Sequence, residues 1–544
     1  MHHNTPPGQT PILIAGGGPV GLTLSIILAH FGVDCVLLER NQDTTQHPKM
    51  DITNGRTMEI FRRLGLSEKI ITAGVDPDIC LDVSWITGLT GHELHRFVYD
   101  SPNAARAHYK DLNDGSQATE PGIRISQIVV EPLLRDVAAV SPHVTLCYGW
   151  SFESFSQDES GVTATVANRE TGEEREIQSQ YLAGCDGGNS KVRDGLGIGL
   201  SGQAKIRRRY SVHFQSRSKD ILEPWGPAWH YQNPKHGTLI SQDGRERYTL
   251  HSALWEGEEE ATIDPYDVVR RFVGKDLDFG LLLASGWDNN LLLADNYGDR
   301  RVLLAGDSAH QYIPTGGYGM NTGIGDAYAL GWMLAATVQG WGGPGLLVAY
   351  GGERRPIGLR NREGSGRHAH VRIKVGNVWE DGLDSTDAAA ATRERVGQKI
   401  ADLGNAENES FGIEMGYGYP ESPLVFGEDE PYPDDPITYH PTTLPGYRVP
   451  SLYLENGWAI YDLFGRHFTL ANFAPDRVDT GAFENAANEM GLPLSVLPLG
   501  DYPARELYQR DLVLLRPDQH VCWRGNALPP DPDRILERVS GGLA

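Results

Sequence analysis

Apolar residues run without a break through Ile12-Leu-Ile-Ala15, give way to glycines, return at helical spacing from Val20 to Phe31, and run unbroken again through Cys35-Val-Leu-Leu38. The change of period, with Gly32 as a C-cap, predicts strand, tight turn, helix and second strand: a βαβ unit opening a parallel sheet. Met58-Glu-Ile-Phe-Arg-Arg-Leu64 signals another helix, stopped by Gly65. From about 190 to 298 the runs alternate, as in Arg247-Tyr-Thr-Leu-His-Ser252, and carry Trp225, Trp229, Tyr231 and Trp255. That stretch predicts an antiparallel sheet covering the first domain. Apolar character resumes at Leu303-Leu-Ala305, followed by Gly316-Gly-Tyr-Gly-Met-Asn-Thr-Gly-Ile-Gly-Asp326 as a loop and a helix expected from Ala327 to Ala336.

Residues 405–445 are dense in Pro, Gly, Asp and Glu, as in Phe426-Gly-Glu-Asp-Glu-Pro-Tyr-Pro-Asp-Asp-Pro436, and are expected to be a linker. Periodicity returns in 446–544 with Trp458-Ala-Ile-Tyr461, Phe468-Thr-Leu470, a helix over Gly481 to Met490 and Leu512-Val-Leu-Leu515, which reads as a small α/β domain. The expected division is 1–189 as a nucleotide-binding domain with an excursion near 76–120, 190–298 as a sheet domain, 299–404 as the return to the first domain with connecting helices, then linker and C-terminal domain.

Composition narrows the function classes. The 544 residues carry 48 basic and 72 acidic side chains, a formal net charge of −24. Such a surface repels phosphate backbones and anionic lipid, which argues against nucleic-acid and membrane-surface roles. No run approaches the roughly 18 apolar residues of a membrane span, and the first ten residues lack a secretory pattern, so a soluble, cytoplasmic protein is expected. Cys35, Cys80, Cys147, Cys185 and Cys522 form no CxxC pair and offer no metal site.

Three motifs carry chemistry. Gly16-x-Gly18-x-x-Gly21 follows a predicted strand and opens a helix through Pro19 and Val20, the context in which glycines admit a pyrophosphate to the backbone and a helix N-terminus receives it. Glu39, 18 residues past Gly21 at the end of the second strand, is placed to accept from an adenosine ribose, with Arg40 beside it. NAD and FAD both remain open on this motif alone. Cys185-Asp-Gly-Gly-Asn-Ser-Lys-Val-Arg193 follows the strand-like Gln180-Tyr-Leu-Ala-Gly184. In the third motif, Leu303-Leu-Ala-Gly-Asp-Ser-Ala-His310 delivers the Asp307 carboxylate at a strand end, ahead of the glycine stretch.

Together these motifs resemble the FAD-dependent aromatic monooxygenases of the phenol hydroxylase type. The resemblance implies a Rossmann-like FAD-binding domain, an inserted antiparallel substrate sheet and a thioredoxin-like C-terminal domain, the last carried by Pro445-Gly-Tyr-Arg-Val-Pro450 and Asp462-Leu463. It implies that Asp186 and Arg193 lie near the FAD and the nicotinamide route, that Asp307 accepts from the ribityl chain, and that the loop from Pro314 through Gly317, Gly319 and Met320 to Asn321 lies along the isoalloxazine. Arg56, in Asn54-Gly-Arg-Thr-Met-Glu59, resembles the family's flavin-adjacent arginine, and Gln127, in Arg124-Ile-Ser-Gln127, its flavin-contacting glutamine. Tyr350 and Glu353-Arg-Arg-Pro356 match the end of the flavin domain. Cys522 leaves no dithiol in the C-terminal domain, whose implied roles are packing and homodimer contacts.

The implied reaction is hydroxylation of a phenol, generally ortho to the hydroxyl, with NADPH or NADH and O2 through a flavin C4a-hydroperoxide. Removing the phenolic proton makes the ring more nucleophilic, and Asp51, in His47-Pro-Lys-Met-Asp51, is the candidate base. The alternative for Asp51 is a hydrogen bond within its own loop. Tyr231, His213, His230 and His251 come from the predicted pocket sheet and could orient a hydroxyl. His368-x-His370 is not a metal pair, since residues two apart on a helix face different ways. Arg207-Arg-Arg209 reads as a solvated turn with an outside prospect of meeting nicotinamide phosphates. Baeyer–Villiger oxygenation of an aromatic polyketide and a catalytically silent flavin-binding protein remain as alternatives. The chain lacks the Trp-x-Trp-x-Ile-Pro run of flavin halogenases.

Overall fold

A computed structural model describes residues 5–254, 258–380, 383, 389–500 and 504–542, so Trp255 lies outside the described residues. The first apolar strand, Gln9–Ala15, is central in a sheet ordered Gly298–Asp299, Val302–Leu304, Glu174–Gly184, Gln9–Ala15, Cys35–Glu39, Val144–Tyr148. All but the first of these strands are parallel. The hairpin Trp150–Gln157 and Val162–Asn168 joins the sheet through its second strand, which pairs antiparallel with Glu174–Gly184. Ile12, Leu13, Ile14 and Leu37 have no solvent exposure, as expected for a parallel sheet covered on both faces.

The helix Pro19–His30 packs on this sheet together with Tyr318–Gln339. The latter begins nine residues before the expected start at Ala327. Its glycines are there for proximity: a Cβ on Gly323 would stand 2.6 Å from Val20 Cγ2, and one on Gly325 would stand 2.8 Å from Arg354 Nη2. Helical glycines that let neighbours approach look like a loop in the sequence.

A second sheet runs His310–Gln311, Gly280–Ala294, Leu200–Gln215, Arg247–Ala253, Gly237–Ser241, His230–Asn233, Val83–Ile86, Glu93–Phe97. One face buries Tyr210, Val212, Phe214 and Leu250 against the helix Pro265–Val273. The other face walls a cleft whose floor is the carboxyl end of the parallel sheet.

The C-terminal unit is a four-stranded sheet, Leu494–Pro498, Phe468–Asn472, Leu512–Leu515, Val521–Gly525, with a parallel first pair and helices Gly481–Met490 and Pro532–Val539. It is bolted to the first domain by buried ion pairs, Arg516 to Glu353 at 2.6 Å and Arg448 to Glu59, while Asp518 within the unit holds Arg516 at 2.6 Å. Residues 405–445 are no tether. They hold the helices Ala406–Glu409 and Phe411–Met415, and Tyr419 accepts a hydrogen bond from Arg354 at 2.8 Å. Ser422 Oγ likewise donates to the buried Glu353 at 2.5 Å, a pairing that composition does not show.

Candidate functional site

The cleft, about 1070 Å³, runs from the first glycine motif, termed the narrow end, to the face of the second sheet, termed the wide end. Gly16 has φ +109°, and a Cβ there would meet the Cys185 carbonyl oxygen at 2.2 Å, so only glycine lets the first and second motifs touch. Gly18 caps the helix, with open space where a side chain would stand and Pro19 next in the chain. The Gly17 N–H donates to Glu39 Oε2 at 2.9 Å, fixing that carboxylate at the cleft edge beside Arg40. A Cβ on Gly21 would fall 2.0 Å from the Gly16 carbonyl oxygen, so Gly21 serves strand and helix packing and does not line the cleft.

Asp307 lies in a tight turn, Gly306–Ser308, and opens into the cleft with no hydrogen-bond partner among the described residues. The surrounding protein raises its carboxyl, against the pull of His310 and Lys49. Beneath it, Asp326 accepts from Gly306 N–H at 3.1 Å, His310 Nε2 at 2.9 Å and Arg354 Nε at 2.7 Å, which holds the turn in place. Pro314, Gly317, Gly319 and Met320 continue the same wall.

Asp186 lines the cleft while accepting from Ser190 Oγ at 2.5 Å and Val192 N–H at 3.2 Å, and burial raises its carboxyl. Gln127 lines it too, donating to Glu131 at 2.5 Å. Arg193 stands behind the wall and donates to the carbonyls of Gly188 and Ser308, both at 3.1 Å, joining the second and third motifs. Asn321 also works from behind: its Oδ1 accepts from Asn54 N–H at 3.0 Å and its Nδ2 donates to Gly317 O at 2.7 Å.

Arg56 is a correction. Its guanidinium is taken by Glu59 at 3.0 Å, Gln519 at 2.8 Å and the Asp518 carbonyl at 2.7 Å, so it faces the C-terminal unit and not the cleft. The helix Gly55–Arg63 turns that position inward, where the Glu59 carboxylate needs a partner.

At the wide end, Asp51 Oδ2 accepts from Trp229 Nε1 at 2.6 Å and lies 3.7 Å from Arg124 Nη2. Burial raises its carboxyl, while the Arg124 charge and the Trp229 hydrogen bond hold it down. The side chain therefore reaches across to the second sheet, and its backbone carbonyl accepts from the distant Ile125 N–H at 3.0 Å.

Tyr231 is a second correction. Alternation along His230–Asn233 sends His230 and Gln232 into the cleft and Tyr231 into the opposite core, where its hydroxyl donates to Gly226 O at 2.5 Å. His251 lines the cleft beside Ser211 at 2.7 Å, whereas His213 is held at the buried Tyr248 carbonyl and Thr249. His368 pairs with Tyr318 at 2.8 Å, and no cluster able to hold a metal occurs among the described residues.

Sequence reasoning missed three cleft side chains, Trp229, Arg372 and Glu414, and the buried Arg124 guanidinium beside Asp51. Trp229 was noted only as an aromatic, and Arg124 only as a motif neighbour. Arg372, whose guanidinium grips Glu407 at 2.6 and 2.7 Å, carries no local signal. Glu414 lay in the discounted linker; burial raises it to about 7, against a hydrogen bond from the Gly55 backbone.

The narrow end fits FAD on its own chemistry: a glycine-lined helix N-terminus for a pyrophosphate, Glu39 for a ribose, and the unpartnered Asp307 for a polyol. Comparison with known proteins agrees. A family profile described as FAD binding domain matches residues 9–365, and one described as aromatic-ring hydroxylase, C-terminal, matches 442–542. The FAD-dependent monooxygenase apdD of Emericella nidulans is 34% identical over 97% of this chain and 90% of its own. Phenol 2-monooxygenase of a Pseudomonas species is 27% identical over 98% and 93%. The rebeccamycin biosynthetic enzyme RebC with reduced flavin superposes with a TM-score of 0.88 at 32% identity, over 99% of this chain and 100% of that one. From its FAD motifs to its C-terminal sheet, the chain belongs to the FAD-dependent aromatic-ring hydroxylase family, and it is a flavin-dependent monooxygenase.

Proposed function

We propose that the substrate is a phenol, that Asp51 removes its proton, and that oxygen enters ortho to the hydroxyl at the expense of NAD(P)H and O2. The observation carrying this reading is the Asp51 to Trp229 hydrogen bond, which holds a raised carboxyl between the two walls of the cleft. The loop bearing Asp51 is fastened to the flavin-side glycines, since Asn321 Nδ2 donates to Ile52 O at 3.2 Å and to Gly317 O at 2.7 Å. A carboxyl raised above its ordinary range is a stronger base once ionised. Bound FAD supplies the activation of O2 once reduced. The protein's part is to seat the ring against the Met320 side of the cleft, take the proton and exclude water.

The Cβ-tight Gly16 and the unpartnered Asp307 support FAD binding. A homodimer rests on the family resemblance, and a cytoplasmic location on the five free cysteines and the absence, among the described residues, of a helix able to cross a membrane. Sedimentation of the holoprotein tests the first. The function is tested with a panel of phenols, naphthols and aromatic polyketides scored for both NAD(P)H oxidation and oxygenated product. Product from at least one phenol is expected. Oxidation without product across the panel would mark effectors only and overturn the reading.

A further inference from the structure

The three arginines Arg207, Arg208 and Arg209 lie inside the strand Leu200–Gln215, not in a turn, so successive side chains leave opposite faces of the sheet. Arg208 leaves on the outer face and is matched by Glu260 and, at 3.1 Å, by Asp288. Arg207 and Arg209 leave toward the cleft. Arg209 is half-buried there and makes no hydrogen bond or ion pair among the described residues. The charged groups acting on it are Arg207 and Arg372, both cations. Arg372 is itself answered by Glu407 and by Thr238 at 3.2 Å, which leaves the inner of the two free guanidinium groups without a counter-charge.

Burial, with those two neighbours, lowers Arg209 to about 10. Burial followed by the Arg209 and Arg372 charges lowers His251 to about 4, so that ring is neutral and adds hydrogen bonding without charge. Trp287, the register partner of Arg209, donates to Ser211 Oγ at 2.7 Å, and with Trp85 and Trp229 it makes this end of the cleft aromatic. Withdrawing a guanidinium from water with no anion beside it costs stability. An arrangement that keeps such a group facing a cavity is suited to an anion that arrives with the ligand.

Resting on the reading above, we propose that the aromatic substrate carries an ionised acidic substituent, a carboxylate, which docks on Arg209. The planar fork of the guanidinium then fixes the ring's orientation through two parallel hydrogen bonds, and the neutral His251 and Ser211 lie within the same wall. The phosphates of the nicotinamide co-substrate share this chemistry and are separated by the test.

The holoenzyme is titrated with 1-naphthol and with 1-hydroxy-2-naphthoate, following the perturbation of the flavin absorbance spectrum. The carboxylated probe is expected to bind about tenfold tighter or better, the worth of a charge-assisted hydrogen-bond pair. Arg209→Gln should remove that preference, and Arg209→Lys should keep part of it. Equal binding of the two probes by the wild-type holoenzyme overturns the proposal, even if the variants fail to fold. Equal loss for both probes in Arg209→Gln also overturns it. So does a preference that survives in the variant while the KM for NAD(P)H rises, which assigns Arg209 to phosphate. Oxygenation of naphthol with no carboxylate preference sinks this inference alone, whereas absence of any oxygenated phenol sinks the function proposed above.

Discussion

At the narrow end of the cleft the groups that meet a ligand are mostly backbone: the Gly16 to Gly18 turn, the helix N-terminus after it and the Gly317 to Gly319 wall, with Glu39 and Asp307 as the chief carboxylates. At the wide end they are side chains from distant segments: Asp51, Trp229 178 residues away, Arg209 from the strand Leu200–Gln215, Arg372 from the helix Gly345–Val378, and Glu414 from a short helix in the expected linker. A backbone-built site tolerates no added atoms and leaves a local signature in the sequence. A side-chain-built site tolerates substitution at each position and leaves none, which is how one cofactor end can serve different substrates.

The largest effect is expected at the backbone end. Gly16→Val places a Cβ within 2.2 Å of the Cys185 carbonyl oxygen at a φ of +109° that branched residues avoid. The purified variant should lack flavin absorbance, a loss in FAD affinity of roughly 100-fold or more. Retention of flavin within tenfold of wild type would show that this end yields, and the contrast with the wide end would fall.

Asp51→Asn should do the reverse. The amide keeps the shape and can still meet Trp229, so FAD is retained, but the proton acceptor is gone and kcat with a phenol should drop by roughly 100-fold. An unchanged kcat would sink Asp51 as the base.

Legibility in the sequence follows the same divide. The βαβ opening, the Asp-Gly turn and the Gly-Asp strand end could be read because each obeys a local rule on strand period, glycine position or helix start. Arg56 was misplaced because a resemblance assigns a position, not the direction a helix turns it, and here Glu59 and Gln519 claim the guanidinium. Tyr231 was misplaced by one register step, since period two sends its neighbours His230 and Gln232 into the cleft. Arg209, read with its neighbours as a solvated turn, and Glu414, read as linker, were misjudged for a different reason: what sets them apart is a missing partner or a buried setting, and both arise only when distant segments meet.

Trp229→Phe sharpens the wide end without removing its base. Asp51 must be ionised to accept a proton, so activity is present above its pKa and lost as pH falls through it. The Trp229 hydrogen bond favours the ionised form. Its removal should move the acid limb of the kcat profile upward by about one unit or less, with a smaller change on the alkaline side. A limb that stays put would detach the titration from Asp51.

The smallest effect concerns Glu414, another raised carboxyl facing the cleft. Its folded value of about 7 lies above the ordinary 4.5, so the folded protein holds this proton more tightly than the unfolded chain does. Stability is therefore lost as pH climbs from the ordinary value through the folded one, when the ionised form must be kept in a dry setting. Glu414→Gln removes that penalty: the variant should melt close to wild type at pH 4.5 and roughly 2–4 °C above it at pH 8. Its kcat should fall less than that of Asp51→Asn, because Trp229 ties Asp51, and not Glu414, to the second sheet. A collapse of activity in Glu414→Gln, with Asp51→Asn nearly silent, would move the base to residues 405–445 and give the wide end a different chemistry.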